Sequence, residues 1–334
     1  MSTYTPGVES LLEPLRPYLI DPEISELMIN QPKILWIEKS GQLLAIPLEI
    51  LSELYLHRLF QLIANQNKQT LSPNHPLLSG NLPDGSRVQL CIPPASAHFT
   101  LAIRRKVIKN ISLDHYQAQN FYQQSHPAFN ISSDNLSLKD LNFLNPSDQN
   151  LLKLFQTKNF NLFIQEAILA KKNMVISGGT SSGKTTYLNA CLKQIPQSDR
   201  LLILEDTQEI DSPHPNQVRL LSSQNISMQT LLQASLRLRP DRIIMGEIRG
   251  KEILDFIGAC STGHEGSLTT IHANNPQIAF LRMTQMYKLN PVPSMSDQDI
   301  LRELQSVIDI VIQINKTPLG RLAQGVYFKW ARGD

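Results

Sequence analysis

Residues 173–192 read NMVISGGTSSGKTTYLNACL, and no other stretch so narrows what this chain can fold into. An apolar run at 174–177 is followed by Gly178, Gly179, Thr180, Ser181, Ser182, Gly183, Lys184, Thr185 and Thr186, which carry the G-x-x-x-x-G-K-[ST] pattern into a helix. Glycines let the backbone curl so that successive N–H groups face phosphate oxygens, and the helix N-terminus adds partial positive charge. Lys184 is expected to reach the β- and γ-phosphates of a nucleotide, and Thr185 to offer its hydroxyl to magnesium. The bland alternative is a glycine-rich turn that only caps a helix.

The surrounding pattern supports the first reading. Helices are expected near 160–171, 184–194, 227–238 and 251–260, and strands at 174–177, 201–204, 243–245 and 268–271. Such alternation predicts an α/β domain, a parallel sheet with helices on both faces. Ligands of open α/β sheets bind beyond the carboxyl ends of the strands. Two acidic groups fall there: Glu205, Asp206 and Glu209 in LLILEDTQEI, and Glu247 in RPDRIIMGEIRG. A carboxylate so placed can hold magnesium's water shell or activate a water. His264 and His272 flank the strand SLTTI; two histidines without further ligands argue against zinc and for phosphate sensing or strand orientation.

At 334 residues the chain exceeds the usual reach of one core, so two domains are expected. Residues 24–106 alternate short apolar strands with turns, with Asp84-Gly85 marking a hairpin and a helix starting near Ser52, which reads as a small α+β domain. The opening LLEPLRPYLI reads as a helix interrupted by Pro14 and Pro17. From 110 to 149 the chain turns to Asn, Gln, Ser and His, read as a linker or as short surface helices. The expected organisation is 1–109, linker 110–149, and 150–334.

A net charge of +2 with no Lys/Arg-rich run gives no global field for nucleic acid, and direct nucleic-acid binding is not expected. Cys91, Cys191 and Cys260 are too scattered to begin a metal site and read as buried free thiols of a reducing cytoplasm. Neither a signal peptide nor an apolar membrane span is recognisable, so a soluble intracellular protein is expected.

Four stretches in order, GGTSSGKTT, LEDTQEI, LRPDRIIMGEIRG and TGHEGSLTTIHANN, resemble the Walker A motif, Asp box, Walker B motif and His box of the secretion-superfamily traffic ATPases. The chain is most similar to the type IV secretion class, that of the eleventh VirB component. LPDGSRVQLCIPP and LAIRRK are also similar to the N-terminal domain of that class. The resemblance implies a RecA-like P-loop NTPase domain behind the smaller α+β domain, assembled as a homohexameric ring that hydrolyses ATP with Mg2+. It implies nucleotide and metal binding by Lys184 and Thr185. Glu209 and Glu247 would serve magnesium, directly or through water, and water activation, and His264 and His272 would serve sensing. Arg87, Arg104 and Arg105 match the region from which the family supplies cations to the nucleotide.

The implied partners are other secretion-system components at the inner membrane and a transported protein or nucleoprotein, with the ATPase on the cytoplasmic face. A pilus-retraction ATPase or a nucleic-acid translocase on the same core is the alternative. The Gln/Asn-rich segment around 117–146 is longer than the family's shortest linkers, leaving open which subunit completes each site.

Overall fold

A computed structural model describes residues 7–39, 41–105, 111–128, 144–223, 225–292 and 294–331. The chain forms two compact units, Met1–Ile108 and Lys109–Asp334.

The first unit begins with two short helices, α1 (Val8–Leu12) and α2 (Arg16–Ile20), joined by a tight turn of helix through Pro14. Strands β1 (Ile24–Ile29), β2 (Ile34–Lys39) and β3 (Gln42–Pro47) precede α3 (Glu53–Gln66). Strands β4 (Leu77–Asn81), β5 (Arg87–Cys91) and β6 (Thr100–Arg104) follow it. They form one antiparallel sheet in the order β3-β2-β1-β6-β5-β4. Ser52 caps α3 by accepting the Tyr55 N–H, and Leu56, Leu59, Phe60 and Ile63 recur on the face that packs on the sheet's apolar side. Gly85, at φ 83°, turns the β4–β5 hairpin where Asp84-Gly85 signalled one.

The second unit contains α4 (Leu113–Ala118), β7 (His126–Ala128), α5 (Pro146–Gln156), α6 (Phe160–Leu169), β8 (Met174–Gly178), α7 (Lys184–Leu192), β9 (Leu201–Glu205) and β10 (Gln217–Leu221). It continues with α8 (Met228–Ser235), β11 (Arg242–Met245), α9 (Glu252–Ser261), β12 (Leu268–Ile271), α10 (Pro276–Tyr287), α11 (Asp297–Val307), β13 (Ile310–Thr317) and β14 (Gly320–Phe328). The sheet order is β10-β9-β11-β12-β8-β13-β14-β7, parallel from β10 to β13, with β14 antiparallel to β13. Met174 and Ile176 enter one apolar cluster and Val175 the other, as the two-residue period of a strand requires. Helices α4 to α7 cover the first face and α8 to α11 the second. Strands buried on both sides read as unbroken apolar runs, which is why β8 and β9 were legible.

Part of the Asn/Gln-rich stretch read as a linker or surface helices is built into this unit. Residues 111–128 lie against α7: Phe121 stacks on Tyr187 with ring centroids 5.3 Å apart, and the Tyr122 and Tyr187 hydroxyls are 2.7 Å apart. Lys193 donates to the Ile111 carbonyl at 2.8 Å, and β7 adds to the sheet beside β14. The aromatic residues scattered among the amides supply the apolar area that docks the segment. Positions 129–143 of that stretch lie outside the described residues.

Of the three thiols, Cys191 and Cys260 are buried and Cys91 is half-buried, so the expectation of burial applies to two. Among the described residues no helix is long and apolar enough to cross a membrane.

Candidate functional site

Strand β8 ends at Gly178, and the chain turns through 179–183 into α7. Gly178 has no room for a side chain: a Cβ there would meet the Ile314 carbonyl of β13 at 2.5 Å and crowd the Ser182 hydroxyl. Gly183, at φ 95°, takes the left-handed conformation that glycine adopts without strain. Ser181, at φ 58°, adopts it at a cost of order 1–2 kcal/mol. Left-handed residues at 181 and 183 bend the loop into a concave nest of N–H groups at the start of α7. Ser182 is 2% exposed, and its hydroxyl meets no partner among the described residues.

Lys184 is 8% exposed and lies inside the curl, donating to the carbonyls of Gly178 at 3.0 Å and Gly179 at 2.9 Å. The next residue, Thr185, donates its hydroxyl to Glu209 at 3.3 Å. Glu209 is placed by Glu205, which is 2% exposed at the end of β9 and accepts the N–H groups of Glu209 at 2.7 Å and Ile210 at 2.6 Å. Glu205 is thereby a brace for the acidic loop.

His272, just past β12, joins the two strand-end motifs. Its Nδ1 lies 3.3 Å from Lys184 Nζ and its Nε2 3.2 Å from Glu247 Oε1. Desolvation and the Lys184 cation lower its pKa, so the ring is neutral near pH 7. An ammonium can only donate, so Nδ1 accepts and Nε2 carries the proton, facing Glu247. Arg249 completes the chain, pairing with Glu247 at 2.7 Å and with Asp206. Glu252 fixes the Arg249 loop by accepting the N–H groups of Arg249 at 2.6 Å and Gly250 at 2.9 Å. Lysine, imidazole, carboxylate and guanidinium thus run in one line beside the phosphate nest.

The other site expectations divide. Thr180 lies on the loop and lines the cleft beside it, and Thr186 lies in the first turn of α7. His264 stands at the opposite end of β12, which is about 13 Å long, with Nδ1 3.1 Å from the Pro240 carbonyl and its own carbonyl accepting the Ser267 hydroxyl. That is a strand-orienting position away from the loop.

In the first unit Arg87 and Arg104 face each other across β5 and β6, and Arg104 pairs with Glu26 of β1 at 3.7 Å. Arg105 instead directs its guanidinium to the carbonyls of Asp21 and Ile24, the latter at 2.7 Å, tying β6 to the turn before β1.

Two residues of the site carried no separate signal in the sequence. Arg249 is only the second residue after Glu247, inside a motif already quoted. Arg321 comes from β14 and donates Nε–H to the Ser181 carbonyl at 3.0 Å. A cleft of about 630 Å³, within the range of ligand pockets, opens beside the loop between Gly179, Thr180, Ser182 and the β13–β14 hairpin. Among the described residues no three His, Cys, Asp or Glu side chains converge as a metal cage. Magnesium at a phosphate site needs only one or two protein oxygens, and Thr185 beside Glu209 supplies hard oxygen donors of that kind.

Comparison with known proteins shows what the whole chain is similar to. The family described as type II/IV secretion system protein matches residues 10–316. The type IV secretion system protein VirB11 of Brucella suis is 33% identical over 316 residues, covering 91% of this chain and 84% of that protein. The crystal structure of the VirB11 ATPase from the Brucella suis type IV secretion system, in complex with sulphate, superposes with a TM-score of 0.53 at 31% identity, covering 96% and 97% of the two chains. The pilus retraction motor PilT with bound ADP, at 16% identity and a TM-score of 0.58, shares the fold over 95% of this chain and 82% of its own.

Proposed function

Because the chain belongs to the type II/IV secretion system protein family, with VirB11 proteins among its relatives, we propose that it is the ATP-hydrolysing motor of a type IV secretion system. The observation that carries this reading is the continuous link from Lys184 through His272 to Glu247 beside a preformed phosphate nest. The RecA-like α/β unit is the frame that aligns these groups.

In this mechanism the N–H groups of 179–183 and the Lys184 ammonium hold the β- and γ-phosphates of ATP, and charge growing on the transferred phosphoryl group is met by donors already in place. Thr185 and Glu209, directly or through water, would hold magnesium, which when bound would supply positive charge against the phosphates. Glu247, oriented by His272 and Arg249, positions and activates the attacking water. Loss of the γ-phosphate frees Lys184 to return to its own loop carbonyls, and His272 passes that shift to Glu247. Arg87 and Arg104 belong to the same proposal as cations for the nucleotide. A homohexameric ring on the cytoplasmic face of the inner membrane couples the cycle to passage of a protein or nucleoprotein substrate.

The test is solution mass by light scattering with and without a non-hydrolysable ATP analogue, alongside ATPase rate against protein concentration. A sixfold mass rising with the rate supports the ring motor. A monomer with full, concentration-independent activity removes it.

A further inference from the structure

We infer that Arg321 is a positioning residue of the phosphate loop, supplied within the same chain by the β13–β14 hairpin; the inference rests on the nucleotide reading of that loop. Three observations carry it. First, the Arg321 Nε–H donates to the Ser181 carbonyl at 3.0 Å, across 140 residues of sequence. Second, its side chain lies over Gly183, where a Cβ would come 3.0 Å from Arg321 Cδ, so the arginine spans both left-handed residues of the loop. Third, the strand that carries it is fixed: β14 pairs with β13 from Thr317–Gly320 to Ile310–Phe328, with one shift of register between Gln313 and Ile314, and Phe121 accepts the Ala323 N–H at 3.0 Å.

The physical consequence follows from the planarity of the peptide. In a trans peptide the C=O of Ser181 and the N–H of Ser182 point to opposite sides. Holding the carbonyl on the Arg321 side keeps the Ser182 N–H on the opposite side, where it donates to the Gly179 carbonyl at 3.4 Å. A flip of this one peptide would turn a carbonyl into the nest and an N–H out of it, replacing attraction for a phosphate with repulsion. Ser181 has no glycine's freedom and gains a reason to stay left-handed from the arginine that holds it. The side chain is exposed, so its removal leaves no hole in the core.

The experiment uses the full chain with Arg321→Ala and Arg321→Lys, and Lys184→Ala as control. Affinity is read with a fluorescent ADP analogue, turnover with MgATP, and folding by the melting temperature without nucleotide. Arg321→Ala is expected to weaken ADP and raise the KM for ATP about tenfold, the factor for one well-placed hydrogen bond to a constrained carbonyl. The kcat should change less than threefold and the nucleotide-free melting temperature should stay in place. Arg321→Lys, which keeps a donor of similar reach, should recover much of the affinity. Wild-type affinity in Arg321→Ala, with Lys184→Ala inactive, overturns this inference and leaves the nucleotide site standing. Equal loss of melting temperature and of kcat also overturns it, since that marks a general structural role. Full activity in Lys184→Ala removes the nucleotide reading itself.

Discussion

The docking of residues 111–128 on the phosphate-loop helix can be tested by a double-mutant cycle at Tyr122 and Tyr187. Tyr187 is fully buried on α7, and its hydroxyl lies 2.7 Å from that of Tyr122. Burial pushes both phenols above their ordinary pKa, so neither ionises at working pH and the pair is a neutral hydrogen bond. Replacing either by Phe removes one bond and leaves the other hydroxyl desolvated, at a cost of about 1–3 kcal/mol. Replacing both removes the donor and the stranded acceptor together, so the double variant should cost no more than either single change. The coupling energy is then at least about 1 kcal/mol. Trp36 and Trp330 are the two tryptophans, one in each unit, so a Trp36→Phe background lets urea unfolding by fluorescence report the second unit. The expected pattern is a lowered midpoint with unchanged slope in each single variant and a partial return in the double. Costs that add to within about 0.3 kcal/mol would refute the bond, and with it the claim that this segment is clamped to α7.

His272→Gln should lower kcat by roughly 10- to 100-fold with ADP affinity altered less than about threefold, because the Lys184–Glu247 link depends on a ring with one acceptor and one donor; steady-state kinetics with ADP titration checks this. Gly178→Ala should abolish nucleotide binding or lower the melting temperature sharply, since its Cβ meets the backbone of β13, whereas Gly179→Ala, with open space, should keep the fold. Burial pushes the Cys191 and Cys260 thiols up, so near neutral pH neither supplies thiolate, and timed alkylation of the native protein should label Cys91 first. Both buried thiols should label only on unfolding, and equal rates for the three would contradict the packing of α7 and α9.

Much of the site was legible because its chemistry is local. Phosphate loop, Glu205, Glu209, Glu247 and His272 each sit one or a few residues past an apolar strand, and the sheet carries them to one edge. Other features depend on distance in sequence. Arg321 reads as one arginine in an unremarkable tail, and only the pairing of β13 with β8 and β14 lays it on the loop. Arg105 and His264 are of the same residue types as Arg104 and His272, and their side chains meet backbone carbonyls instead. The elements β10, α10, α11, β13 and β14 lacked a motif to announce them, and a half-buried edge strand such as β10 gives a weaker apolar run than β9. In the segment 111–128 composition left linker and short helices open; α4 matches the helical alternative, and three aromatic residues, Tyr116, Phe121 and Tyr122, dock a stretch that amides dominate by number.

The central claim is that Lys184 and Glu247 act on one nucleotide in a single linked site. Its most direct test is MgATP turnover by wild type, Lys184→Ala and Glu247→Gln, with ADP affinity measured on each. Hydrolysis by wild type, lost with binding in Lys184→Ala and lost with binding retained in Glu247→Gln, is the result predicted. Wild-type turnover in either variant would contradict it.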